Sequence, residues 1–218
     1  MTGPPSRFRL RPSGRVLLPR AAPGQRIGLY GGSFNPPHAG HRHASVLALN
    51  RLGLDRVWWI VTPGNPLKDH GELAPLTERL IQARRVAAHP RIDVTAFEEG
   101  IGARYTVDTL AFLKRRFPHV KFVWIMGADN LGGFHRWRGW RTIAGLMPIA
   151  IVDRPGWTLR ATRSRAATAL SGARVPEAEG VALAGLKPPA WVYLHGPRSS
   201  LSSSELRRKE RTSPSGRR

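Results

Sequence analysis

The chain has 218 residues, no cysteine, and 35 Lys and Arg against 14 Asp and Glu, a formal net charge of +21. That length fits one domain whose core needs no covalent staple, and the lack of cysteine excludes disulfides, thiolate metal sites and a cysteine nucleophile. No apolar run approaches the roughly 18 residues of a membrane span. The brief "VLL" near the start is too short for a secretory signal. The expectation is therefore a soluble cytoplasmic protein, with an Arg-rich organellar leader as the alternative.

Much of the charge sits at the ends. Residues 1–26 hold six arginines and no acid, and residues 205–218 hold six basic groups and two acids. Such a surplus suits polyanionic partners, namely nucleotides, polyphosphates or nucleic acid. An Arg-biased composition with solvated tails would give the same count.

Residues 1–25, rich in Pro, Gly and Arg, read as a flexible basic extension. Residues 26–210 read as the folded domain, and 211–218 as a basic tail. Within the domain, "RIGLYGG" (26–32) reads as a strand, "HRHASVLALNRLG" (41–53) as a helix and "RVWWIVTP" (56–63) as a second strand. "LTERLIQARRVAAH" (76–89) follows as a helix with Thr77 as its cap, then the strand "RIDVTAFE" (91–98). The helix "YTVDTLAFLKRRF" (105–117) leads to the buried strand "VKFVWIMG" (120–127). The helix "RWRGWRTIAGL" (136–146) leads to the strand "PIAIVDRP" (148–155). Residues 158–172 look helical and 173–190 form a Pro/Gly/Ala-rich connection. "AWVYLHG" (190–196) is a strand and "SSSELRRKE" (202–210) a helix.

Strand–helix alternation with near-continuous apolar strands predicts a doubly wound α/β domain built on a parallel sheet. Ligands of such sheets bind beyond the carboxyl ends of the strands. "GGSFNPPHAGH" (31–41) falls at the first of these ends. Gly31 and Gly32 would let the backbone approach a ligand, and Pro36 and Pro37 stiffen the turn. His38 and His41, three apart, would share one face of the next helix's first turn. Free N–H groups and the positive dipole end there suit phosphate, and Gly40 leaves room for a base or ribose. A histidine pair alone is an ordinary structural feature; the whole string after a strand is not.

"GGSFNPPHAGH" resembles the signature of the nucleotidylyltransferase superfamily, with its H-x-G-H element, and is most similar to the bacterial nicotinate-nucleotide adenylyltransferases. The resemblance covers about residues 26–210 and implies a single-domain, Rossmann-like nucleotidyltransferase fold. It implies that His38 and His41 contact the phosphates of ATP, with Gly31, Gly32, Ser33 and Phe34 along the nucleotide. "LSSSELR" (201–207) can be read as a capping box from Ser202 to Glu205. It is similar to the family's Ile-Ser-Ser-Thr-x-x-Arg element, with Leu201 and Ser204 substituted. That similarity implies a triphosphate held by Ser202, Ser204 and Arg207. "MGADNL" resembles the family's Gly-x-Asp element, which would set Gly127 and Asp129 under the adenosine, Asp129 accepting from ribose hydroxyls.

The acceptor rests on other residues. "YTVDTL" places Thr106 before a helix whose amides would receive an anion. "FHRWRGW" sets Trp137 and Trp140 three apart on one side of a helix start, near Arg136 and Arg138. Two such tryptophans are otherwise ordinary core residues. By resemblance, Trp137 stacks on a nicotinate ring while Thr106 and the amides of Val107 and Arg138 face its carboxylate. Asn65 and Lys68, in "TPGNPLK", would hold the mononucleotide phosphate. The implied reaction joins ATP and nicotinate mononucleotide to give nicotinate adenine dinucleotide and pyrophosphate, with Mg²⁺ carried on the phosphates. Alternatives are a relative using the amide nucleotide or phosphopantetheine, or a basic nucleic-acid-binding protein, although no nucleic-acid motif appears. A homo-oligomer is compatible with the sequence.

Overall fold

The computed structural model describes residues 16–64 and 73–196 of the chain. Seven strands are described: β1 (Arg26–Gly32), β2 (Arg56–Val61), β3 (Ile92–Thr95), β4 (Lys121–Gly127), β5 (Ile149–Val152), β6 (Arg174–Val175) and β7 (Trp191–Leu194). They pair in parallel throughout, in the order β3-β2-β1-β4-β5-β7-β6. Between them run α1 (Ala39–Arg51), α2 (Leu76–Ala87), α3 (Phe97–Ile101), α4 (Thr106–Arg116), α5 (Ala128–Gly133), α6 (Trp140–Leu146), α7 (Thr158–Thr162) and α8 (Arg165–Ala169). Among the described residues no helix is long and apolar enough to cross a membrane.

Alternate side chains of each strand point to opposite faces, and both faces are covered. Ile27, Leu29, Trp58, Phe122 and Trp124 pack with Leu110 and Leu113 of α4, Leu131 of α5 and Ile143 of α6. Tyr30, Val57, Trp59, Val123 and Ile125 pack with Ala44, Ala48 and Leu49 of α1 and Ala83 and Ala87 of α2. Winding reverses between β1 and β4. The chain first steps outward through β2 and β3, then restarts on the other side of β1. The carboxyl ends of β1 and β4 therefore border the crevice in which ligands of open α/β sheets bind.

Several local expectations differ from the fold. Thr77 does not cap α2; Pro75 occupies the cap position and Thr77 lies inside the helix. The third strand stops at Thr95, because Phe97–Ile101 turns into α3, closed by Gly102 at φ 64°. The helix expected from residue 136 begins at Trp140, after Gly139 at φ 65°. Trp137 is consequently extended (φ −71°, ψ 138°), outside the helix, whereas Trp140 is core. The expected helix 158–172 is two short helices, the second capped by Ser164, whose Oγ accepts from the Ala167 N–H. The connection 173–190 contains β6 and a 3₁₀ segment, Glu177–Gly185. Val16, Leu18 and Ala21 pack against the first core cluster.

One buried charge fastens the loops at the crevice. Arg79 of α2 is 1% exposed. It donates to the carbonyls of Ala74 (2.8 Å), Ser33 (2.7 Å), Thr62 (2.8 Å) and Pro63 (3.1 Å). Four neutral acceptors replace the water that a guanidinium loses on burial. They join the loop after β1 to the loop after β2. Arg79→Met leaves those carbonyls without donors and is expected to cost on the order of 3 kcal/mol. A lowered urea midpoint measures this; an unchanged midpoint removes Arg79 from its fastening role.

Candidate active site

The histidines are positioned by how α1 meets the sheet. The side of α1 facing the sheet carries Ala44, Ser45 and Ala48, all buried and small, which lets the helix lie close. Ser45 donates through Oγ to the His41 carbonyl (2.9 Å) and accepts from Trp59 Nε1 (2.7 Å), so the first turn is tied to β2. Beneath it, Phe34 adopts φ 46°, a left-handed conformation that costs a bulky residue roughly 1–3 kcal/mol. Its ring stacks on Trp59 (4.8 Å, 16°) and lies 4.8 Å from the His41 ring. The Phe34 side chain is thus a floor for His41.

His38 is the N-cap residue of α1 and His41 its third residue. Their rings are 3.8 Å apart. The His38 N–H donates to His41 Nδ1 (3.2 Å), while the His41 N–H donates to the His38 carbonyl (2.9 Å). Because Nδ1 of His41 accepts, its neutral ring must carry the proton on Nε2. Burial is the main force lowering the pKa of both rings. The Arg154 cation adds to it at both, and His38 adds to it at His41. His38 falls to about 4 and His41 well below its usual value. Both are neutral near pH 7.

Arg154 was not expected from the sequence. The Asp153 carboxylate accepts from Tyr193 Oη (2.6 Å), Thr158 Oγ1 (2.8 Å) and the Arg154 N–H (2.9 Å), which pins the loop after β5. Arg154 then reaches over β4 to β1, with Nη2 3.4 Å from Tyr30 Oη and Nε 3.8 Å from Asp129 Oδ1. Asp129 lies in the first turn of α5, a helix absent from the sequence reading, and Gly127 is its N-cap. A Cβ at Gly127 would overlap the Asp129 carboxylate and crowd Arg154, so the glycine is required by this ion pair.

Beside this cluster lies a cleft of about 300 Å³. Gly31, Gly32, Ser33, Thr62 and Gly64 form one wall, and Trp124 and Asn130 contribute from β4 and α5. Glu98, Ala103, Arg104, Tyr105, Thr106, Arg136, Trp137 and Arg138 complete the lining. Tyr105 caps α4 without a side-chain bond, leaving the first amides of that helix without a capping acceptor. The Arg138 guanidinium lies 4.6 Å over the Tyr105 ring, and Trp137 packs edge-on against Phe134.

The cleft thus gathers Gly31, Gly32, Ser33, Thr106, Trp137 and Arg138 from the expected set. Gly31 has a different reason from the one expected: the Trp124 indole occupies the space a Cβ would take. Gly40 is buried in the first turn of α1. The Val107 side chain packs against Gly139. Asn65, Lys68, Ser202, Ser204 and Arg207 lie outside the described residues. Arg79, Glu98, Tyr30 and Arg154 were missed. Glu98 and Arg154 each lie just past the carboxyl end of a strand, the one signal that could have found them.

The low pKa of His38 has a consequence for stability. On acidification the unfolded chain binds a proton near pH 6.5, but the folded chain only near 4. Where the unfolded state binds more protons, stability falls as pH falls. Because the buried Glu98, raised to about 7, pulls the other way, the expected result is a difference: between pH 6.5 and 4 the urea midpoint of the native protein falls relative to that of His38→Asn. Parallel curves for the two proteins would contradict this.

The profile of the cytidylyltransferase-like family matches residues 29–209. A probable nicotinate-nucleotide adenylyltransferase of Methylorubrum extorquens is 66% identical over 182 residues, 84% of this chain and 98% of that protein. Its namesake in Agrobacterium fabrum is 57% identical over 181 residues, 83% of this chain and 97% of that one. Among solved structures, the Plasmodium falciparum nicotinic acid mononucleotide adenylyltransferase complexed with NaAD superposes with a TM-score of 0.65 at 18% identity. The match covers 84% of this chain and 83% of that one, and it bears on the fold alone. With a family profile over most of its length and relatives matched nearly end to end, this chain belongs to the cytidylyltransferase-like family and, within it, to the nicotinate-nucleotide adenylyltransferases.

Proposed function

We propose that the protein transfers the adenylyl group of ATP to nicotinate mononucleotide, giving nicotinate adenine dinucleotide and pyrophosphate, a step of NAD biosynthesis. The observation that carries this is the pairing of two unlike environments at one sheet edge. A histidine pair, His38 buried and His41 partly so, opens α1, and an aromatic, arginine-flanked cleft opens against the start of α4. The first suits a polyphosphate, the second a planar ring bearing an anion. The names of the relatives support the same substrates. So do the P. falciparum structures, one complexed with NaAD and one with APC.

In this reading a 5′-phosphate oxygen of the mononucleotide attacks the α-phosphorus of ATP in line. The bond from that phosphorus to the α,β-bridging oxygen breaks and pyrophosphate leaves. No covalent enzyme intermediate is needed. Catalysis comes from positioning and from donors aimed at developing charge. His41, neutral and protonated on Nε2, donates a hydrogen bond to a phosphate oxygen. The free amides at the start of α1 add their partial charge. We assign Asp129 to the ribose, and Ser202, Ser204 and Arg207 to the triphosphate. Thr106, the Val107 and Arg138 amides and Trp137 take the nicotinate, and Asn65 and Lys68 the mononucleotide phosphate. Among the described residues no group of three His, Asp or Glu side chains could hold a metal alone. We assign Mg²⁺ to the ATP phosphates, whose charge it would neutralise. We also assign the protein to the cytoplasm.

Incubation with ATP, Mg²⁺ and nicotinate mononucleotide is expected to yield the dinucleotide and pyrophosphate in equal amounts. No product from this nucleotide, with turnover of another acceptor, would overturn the assignment. His41→Ala with the fold intact is expected to lose roughly 10²–10³ in kcat, as for other lost transition-state donors. Near-normal turnover would remove His41 from catalysis.

A further inference from the structure

Glu98 has no part in the reaction described above, yet it lines the cleft. It sits in α3, just past the carboxyl end of β3, and is 7% exposed. The Thr109 hydroxyl of α4 donates to its Oε1. Glu98 shares the cleft with Tyr105 and with Thr106, Trp137 and Arg138, the last three assigned to the nicotinate ring and its carboxylate. Among the described residues it has no ion-pair partner. A buried acid beside the place assigned to a second acid poses a charge problem. Two ionised carboxyls in such a space repel, and such pairs settle by keeping one proton. A carboxamide poses no such problem, because its NH₂ can donate to an ionised carboxylate.

Resting on the function proposed above, we propose that Glu98 sets the choice between a carboxylate and a carboxamide on the pyridine ring: its neutral form admits the acid, its ionised form favours the amide. Acid binding then takes up one proton onto Glu98 whenever Glu98 starts ionised.

The surroundings set where that switch lies. From α3 the exposed neighbour is Glu99. From β2 the packing face is apolar, with Trp58 and Ile60. From α4 come Thr109 and Asp108, the latter raised by its own burial and lowered by Arg138. The cleft adds Arg104, Tyr105, Arg136 and Arg138. Burial raises Glu98 and the Thr109 bond opposes it, leaving the group at about 7. At pH 8 it is mostly ionised, so the acid nucleotide meets a minority form. Its apparent affinity falls with the neutral fraction, up to about tenfold per pH unit above the midpoint.

The test is titration calorimetry of the intact protein at pH 8 with nicotinate and nicotinamide mononucleotides, in buffers of different ionisation enthalpy. Both ligands carry the same phosphate, so the amide is the control for its protonation. The expected result is uptake of nearly one proton specific to the acid, lost in Glu98→Gln, with the KM ratio of acid to amide becoming pH-independent in that variant. A packing role alone would not move that ratio. Acid and amide binding with equal uptake, or acid-specific uptake that survives in Glu98→Gln, would overturn the assignment while leaving the reaction standing. The wild-type measurement decides even if the variant fails to fold. Failure of the amide to bind at pH 8, where its favoured form of Glu98 prevails, would overturn this inference alone, whereas failure of nicotinate mononucleotide to bind would overturn the proposed reaction and this inference with it.

Discussion

The reversal of winding between β1 and β4 is the constraint on which the rest depends. Strands beyond β1 are laid down in one direction and those beyond β4 in the other. The helices that follow these two strands therefore leave on opposite faces, α1 into one core layer and α5 into the other. Neither can cover the gap between them. What remains is a crevice with a helix start on each side. His38 and His41 come from α1, Asp129 and Asn130 from α5. Arg154 arrives from the next strand and Arg79 from the helix before β3, each closing a gap that the main chain leaves.

The electrostatic design is not what the overall charge implies. A net charge of +21 suggests binding of polyanions by bulk attraction, yet the histidine pair is held neutral and Arg154 and Arg79 are already engaged. The histidines are uncharged because burial and the Arg154 cation oppose protonation. Arg154 is engaged by Tyr30 and Asp129, and Arg79 by four carbonyls. Such groups are fixed dipoles and donors, oriented before a ligand arrives. They need little reorganisation when charge develops, which is the condition for effective transition-state stabilisation.

Much of the fold was legible because parallel strands buried on both faces read as unbroken apolar runs, as in "RVWWIV" and "KFVWIMG". The histidine pair was legible from the whole string "GGSFNPPHAGH" after a strand, not from its three-residue spacing alone. The turn into α3 was not, since "TAF" extends the strand pattern and only the left-handed Gly102 marks the end of the turn. The six-residue α5 is too short to show a period. Arg79 was missed, although it stands four residues before Ala83 and eight before Ala87, on the face that both bury. A lone arginine in an apolar stripe looks like an error in the stripe until its carbonyl partners are seen. Trp137 and Trp140 share a spacing but not a fate, because Gly139 breaks the helix between them.

A crystal structure of the protein with the dinucleotide product bound would test the central claim most directly. One molecule should span the crevice, its diphosphate against His41 at the start of α1 and its pyridine ring against Trp137 beside the start of α4. A product bound with either end outside the crevice, or with His41 remote from every phosphate, would contradict the account.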